Sequence, residues 1–123
     1  MKIILDTNFL LAVGQFGVDI FSELERICDF PYEVCVLSQT MEEIDKIIET
    51  PGKKGKSAAR LALGLVKGRV KLLKAEGSFV DDILVRLADK DTIIATQDKE
   101  LKKRIKTRII TIKQKKYLAF EHV

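Results

Sequence analysis

Carboxylates recur where apolar stretches of this chain begin or end. Asp6 follows the apolar run IIL directly, with Asn8 and then FLLAV behind it. Glu42 and Glu43 stand near the start of one amphipathic segment, Asp81 and Asp82 near the start of another, and Asp98 closes IIATQD. Part of this pattern needs no chemistry. First helical turns favour acids, and aspartate is a good N-cap, so Asp81, Asp82 and Asp98 each have a structural explanation. Asp6 is harder to explain that way. A carboxylate among apolar residues is costly to bury unless it is paired or binds a metal, and no Lys or Arg lies beside it in the chain. Three or four such carboxylates suit one or two hard cations, Mg²⁺ or Mn²⁺, which can polarise a phosphate and acidify an attacking water.

Positioning these acids falls to an alternation of strands and helices. Lys2–Leu5 reads as a buried strand ending at Asp6. Gly17–Cys28 has helical spacing in Val18, Phe21, Leu24, Ile27 and Cys28. Glu33–Leu37 reads as a second strand, with Ser38 as N-cap of a helix reaching about Glu49. Thr50–Lys56 is a basic turn, and a further helix spans about Ser57 to Lys67. Val70–Leu73 suggests a short strand, and Gly77 and Ser78 open a helix whose apolar side holds Phe79, Ile83, Leu84 and Leu87. Asp91–Ala95 is another buried strand, Asp98–Lys106 a helix and Arg108–Ile112 a fifth strand. Lys113–Val123 reads as a last strand or an irregular tail. The pattern predicts one domain over residues 1–123, an α/β/α three-layer sandwich around a central, mainly parallel sheet of about five strands. Ligands of such folds gather at the carboxyl ends of the strands, where Asp6 and Thr96–Asp98 stand.

Composition narrows the class. Hydrophobic residues make up 46% and charged residues 33% of the 123, an ordinary globular balance that argues against disorder. Cys28 and Cys35 form no metal-ligand pattern and read as reduced thiols of a cytoplasmic protein. His122 is alone, which leaves zinc without a ligand set. No stretch is long and apolar enough for a membrane span, and Asp6 and Asn8 interrupt any signal-like run. The net charge of +4 is strongly segregated. Residues 1–49 hold three Lys or Arg against ten acids, residues 53–74 hold eight with no acid, and residues 99–116 hold nine with one. Segregated charge of this kind suits a polyanion held beside a site that also wants cations. Lys53, Lys54, Lys56 and Arg60 in the first block, and Lys102, Lys103, Arg104 and Lys106 in the second, are candidates for phosphate contact, extended by Lys113, Lys115 and Lys116. A solvated helix face explains either block equally simply. Only Tyr117 and Phe120 lie near these blocks, so base stacking across an open sheet is not expected.

Four segments together resemble the PIN domain family of small metal-dependent ribonucleases, and the resemblance spans nearly the whole chain. LDTNFLL resembles the family's first motif, TMEEIDKI the second, VDDILVRLA the third and IIATQDKELKKRI the fourth. It implies Asp6, Glu43, Asp82 and Asp98 as the catalytic, metal-holding acids, with Asp81 as a further candidate and Glu42 turned elsewhere. Asn8 and Thr96 would orient carboxylates and waters. Gln97 stands where the family more often has Asn. The double acid and the run DKELKKRIK look most like the branch that processes ribosomal RNA in eukaryotes and its archaeal relatives. The implied activity is endoribonuclease cleavage of pre-ribosomal RNA, and the implied assembly a homodimer. Two other readings stay open: a toxin-type ribonuclease silenced by an antitoxin protein, and a non-catalytic RNA-binding factor of ribosome assembly. A phosphatase using Asp6 as nucleophile is disfavoured, because position 8 is Asn8 rather than a second aspartate.

Overall fold

The computed structural model describes residues 1–121, so His122 and the end of the expected tail lie outside the described residues. Six strands, β1 (Lys2–Leu5), β2 (Glu33–Leu37), β3 (Lys71–Leu73), β4 (Thr92–Ala95), β5 (Ile109–Lys113) and β6 (Tyr117–Glu121), form one sheet in the order β3-β2-β1-β4-β5-β6. The first five are parallel, and β6 returns antiparallel to β5. The chain winds outward from β1 through β2 to β3, then crosses to the far side of β1 for β4. That reversal leaves a crevice at the carboxyl ends of β1 and β4, the place where such sheets bind ligands.

Alternation along the strands feeds two apolar layers. Ile3 and Leu5 of β1, Val34 and Val36 of β2, and Ile93 and Ala95 of β4 pack beneath helices α1 (Thr7–Phe16), α2 (Ile20–Ile27) and α4 (Lys56–Val66). Ile4, Cys35, Leu37 and Ile94 face helices α5 (Val80–Leu87) and α6 (Lys99–Arg104). Helix α3 (Ser38–Glu49) leans on α1 and α4.

Several boundaries differ from the sequence expectation for physical reasons. The sheet has six strands rather than about five, because Gln114 and Lys115 adopt left-handed φ values of 53° and 56° and turn the tail back as β6. Helix α1 is additional. Its residues are apolar on most sides, so no one-sided stripe marks it in the sequence. Ser38 is the first residue of α3 rather than its cap. The strand continues through Leu37, which takes the N-cap position with no side-chain hydrogen bond. Helix α6 stops at Arg104, two residues early, where Ile105 turns extended. Phe79 does not join the apolar side of α5: it precedes the helix and is exposed.

Candidate active site

Asp6 sits at the junction of β1 and α1, and its exposure is only 2%. Its backbone N–H completes the sheet by donating to Ala95 O at 2.9 Å, and its carbonyl accepts the first bond of α1 from Leu10. The side chain caps α1, with Oδ1 accepting from the Thr7 N–H at 2.8 Å. Its other oxygen, Oδ2, accepts from the Thr96 hydroxyl at 2.8 Å. Both donors are neutral, and among the described residues no Lys or Arg forms an ion pair with Asp6. Burial therefore dominates and pushes its pKa up to about 6, with the Asp81 and Asp98 charges adding to the rise and the two hydrogen bonds opposing it.

Thr96 links two acids. While its hydroxyl donates to Asp6, it accepts the Asp98 N–H at 3.1 Å. Asp98 in turn caps α6, and a single oxygen, Oδ1, accepts from both Glu100 and Leu101. Its second oxygen has no partner among the described hydrogen bonds, so capping does not exhaust this carboxylate.

Glu43 reaches the crevice from α3, which is tied to α1 by a 3.2 Å hydrogen bond between the buried hydroxyls of Thr7 and Thr40. Although Glu43 is exposed as a residue, surrounding atoms desolvate its carboxyl and raise its pKa; Asp81 adds to the rise, while the Thr7 hydroxyl and Lys46 oppose it. Asp81 shows the same direction, raised by desolvation and then by Asp98. Asp6, Thr7, Asn8, Glu43, Phe79, Val80 and Asp81 line one cleft of about 240 Å³. Glu42 is exposed and outside this lining.

The two neighbouring acids of α5 separate. Asp81 faces Asp6, Glu43 and Asp98, whereas Asp82 points outward and binds Arg104 of α6 at 2.8 Å. The sequence placed Asp82 in the cluster and Asp81 beside it; the fold exchanges them. A signal for this was present: Asp81 lies one turn before buried Leu84, and Asp82 one turn before exposed Arg86. Gln97 is structural. Its amide oxygen accepts from Ile112 N and the Thr111 hydroxyl at 2.6 and 2.7 Å, which fastens β5 beside the site.

The basic residues divide similarly. Lys53 shares a cleft with Glu43 and Lys46, and Lys54 lines another with Gln15 of α1. Lys56 is half-buried and Arg60 exposed along α4. Lys102 is not a free surface cation: it donates to the Thr111 hydroxyl at 2.9 Å and pairs with Glu121 at 3.2 Å. Lys113 pairs with the same Glu121, Lys103 with Glu100 and Arg104 with Asp82. Lys106, Lys115 and Lys116 are exposed.

A doubly wound α/β domain with an acidic crevice at its switch point is the class that the fold and site define. The PIN like domain profile matches residues 3–115, and the chain belongs to the PIN domain family. It is 32% identical to a protein of Methanocaldococcus jannaschii named ribonuclease VapC4, across 94% of this chain and 93% of that one. Its structure is also similar to that of the PIN domain endonuclease Utp24, with a TM-score of 0.79 and 26% identity, over 99% of this chain and 92% of the other. Among the described residues, no helix is long and apolar enough to cross a membrane.

Proposed function

We propose that this chain is a divalent-metal-dependent endoribonuclease whose site comprises Asp6, Glu43, Asp81 and Asp98. The observation that carries the reading is the chemistry of Asp6: a buried carboxylate beside two other acids, stabilised only by neutral donors. Such a group lacks a countercharge, and a hard cation supplies one. Among the described residues, no three acidic, His or Cys side chains stand close enough to cage an ion directly. Ions that keep several waters and touch one or two carboxylates, the habit of Mg²⁺, fit the wider spacing. A bound ion would supply charge stabilisation at the scissile phosphate and acidify a water. Asp6 and Asp98, held in register by Thr96, and Asp81 and Glu43 on the facing helices would then orient ion and water. Asn8 at the rim would hydrogen-bond the water or the ribose.

The double acid of α5 and the run DKELKKRIK, which resemble the ribosomal-RNA-processing branch of the family, favour ribosomal RNA precursors as substrate. The test is cleavage of structured ribosomal RNA fragments in Mn²⁺ by the wild type, Asp6→Asn and Asp98→Asn. Activity in the wild type and loss in both variants is expected. Cleavage persisting in both variants would place the chemistry elsewhere. The identity to ribonuclease VapC4 favours a second reading, a toxin-type ribonuclease silenced by a small antitoxin. An adjacently encoded small protein that binds this chain and abolishes cleavage would select it.

A further inference from the structure

Phe79 has no structural task that its chemistry explains. It is 73% exposed, the most exposed of the large hydrophobic residues among those described, and the other aromatics there are buried or half-buried. It occupies the N-cap of α5, where Ser, Thr, Asp or Asn would satisfy a helical N–H, and it makes no capping bond. A ring that neither caps nor packs instead lines the acidic cleft with Asp6, Glu43 and Asp81.

The ring is also carried on a fixed loop. Gln39 of α3 donates from one amide nitrogen to the carbonyls of Ala75 and Gly77 at 2.7 and 2.9 Å. Arg86 of α5 donates to the Glu76 carbonyl at 2.6 Å. Gly77 adopts φ 120°, and a Cβ there would press on Ile83 at 3.0 Å, so the loop lies close against the helix it starts. Gln39 stands one turn before Glu43 on the same helix, and one element therefore sets both the acid and the loop that bears the ring.

We propose that Phe79 is a stacking platform for an unpaired base of the RNA whose phosphate enters the acidic cleft, restricting substrates to strands with an unstacked nucleotide beside the cleavage position. The inference rests on the cleft being the RNA site. A flat apolar face carried on a pinned loop beside a phosphate-directed centre is what base stacking requires, and stacking tolerates any base because every base has a π face. The acids cannot hold a base this way, and the basic residues contact phosphates without distinguishing paired from unpaired strands.

The chain contains no tryptophan, so Phe79→Trp installs a single tryptophan at the platform, excited selectively over the two tyrosines. In Ca²⁺, a short oligouridine is expected to quench it saturably. An abasic strand of equal length, shown by anisotropy to be bound, is expected to leave it unquenched. Equal quenching by both strands, or none by a bound oligouridine, overturns the platform; failure of the oligouridine to bind overturns it together with the nuclease reading. Phe79→Ala and Phe79→Leu should both weaken oligouridine binding roughly 5- to 100-fold, and Leu61→Ala, an exposed apolar residue outside the cleft, should not. Full affinity in Phe79→Leu would mean that apolar contact suffices and stacking is wrong. Quenching without Mn²⁺-dependent cleavage would leave the platform standing and remove the nuclease reading alone.

Discussion

Asp6 holds its charge against its surroundings, and this should be visible as stability. Its pKa is raised from 3.8 to about 6, so the folded chain binds a proton more readily than the unfolded one between those values. Stability of the metal-free protein therefore falls as pH rises from about 4 to about 6 and stays low above, by on the order of 3 kcal/mol from this group alone. Melting without metal should accordingly give a higher Tm near pH 5 than near pH 7, with Asp6→Asn raising the Tm at pH 7 and flattening the slope. Mg²⁺ or Mn²⁺ should raise the wild-type Tm at pH 7, less at pH 5 where protons compete, and less still in Asp6→Asn. Equal Tm with and without millimolar metal at pH 7 would argue against ion binding at the cluster. The neighbouring acids of α5 allow a sharper contrast. Asp81→Asn should abolish cleavage, whereas Asp82→Asn should lose only an exposed pair with Arg104, at a cost of up to about 1 kcal/mol, and stay within a few-fold of wild-type rate. A dead Asp82→Asn protein with wild-type melting would return the catalytic role to Asp82.

At the scale of elements, the alternation of buried runs and amphipathic stretches is enough to recover β1, β2, β4, β5 and most helices, because a strand buried on both faces leaves a continuous apolar run. That Asp6 ends β1 and Thr96 follows β4 is equally readable, and topology alone then makes them neighbours. Other features depend on tertiary packing. Asp81 and Asp82 differ by one residue, and the phase of α5 against the sheet separates them, marked in the sequence only by Leu84 one turn after Asp81 and Arg86 one turn after Asp82. The exposure of Phe79 follows from where that helix starts. Helix α1 is hidden by its own burial, and the packing behind it is tight: a Cβ on Gly14 would collide with the Ala58 carbonyl of α4. Gly14→Ala should force α1 and α4 apart and cost about 1–3 kcal/mol despite alanine's better helix propensity, measurable by chemical denaturation. Because Asp6 caps α1, this variant should also weaken the metal-induced rise in Tm. A neutral or stabilising outcome would show that the pair has room to relax.

Across the whole molecule, the segregated charge of the sequence resolves into cations with different employment. The second basic block is partly committed within the fold: Lys102 and Lys113 converge on Glu121 and tie α6 and β5 to β6, while Arg104 holds Asp82. In the first block Lys71 pairs with Glu33, but Lys53, Lys54, Lys56 and Arg60 have no partner among the described ion pairs, and Lys53 lines a neighbouring cleft with Glu43. Phosphate binding should therefore fall more on the turn before α4 than on α6, contrary to an even reading of the two blocks. Charge reversal at Lys53 and Lys54 should weaken binding of a short single-stranded RNA and reduce the slope of log affinity against log salt by about 0.7 for each phosphate that is no longer neutralised. Lys102→Ala should do something else: it removes a hydrogen bond to Thr111 of β5 and an ion pair to Glu121 of β6, lowering the Tm while leaving the salt slope as it was. If Lys102→Ala flattens the slope and the reversals at Lys53 and Lys54 do not, RNA approaches from the α6 side, and the ion pairs around Glu121 open when it binds.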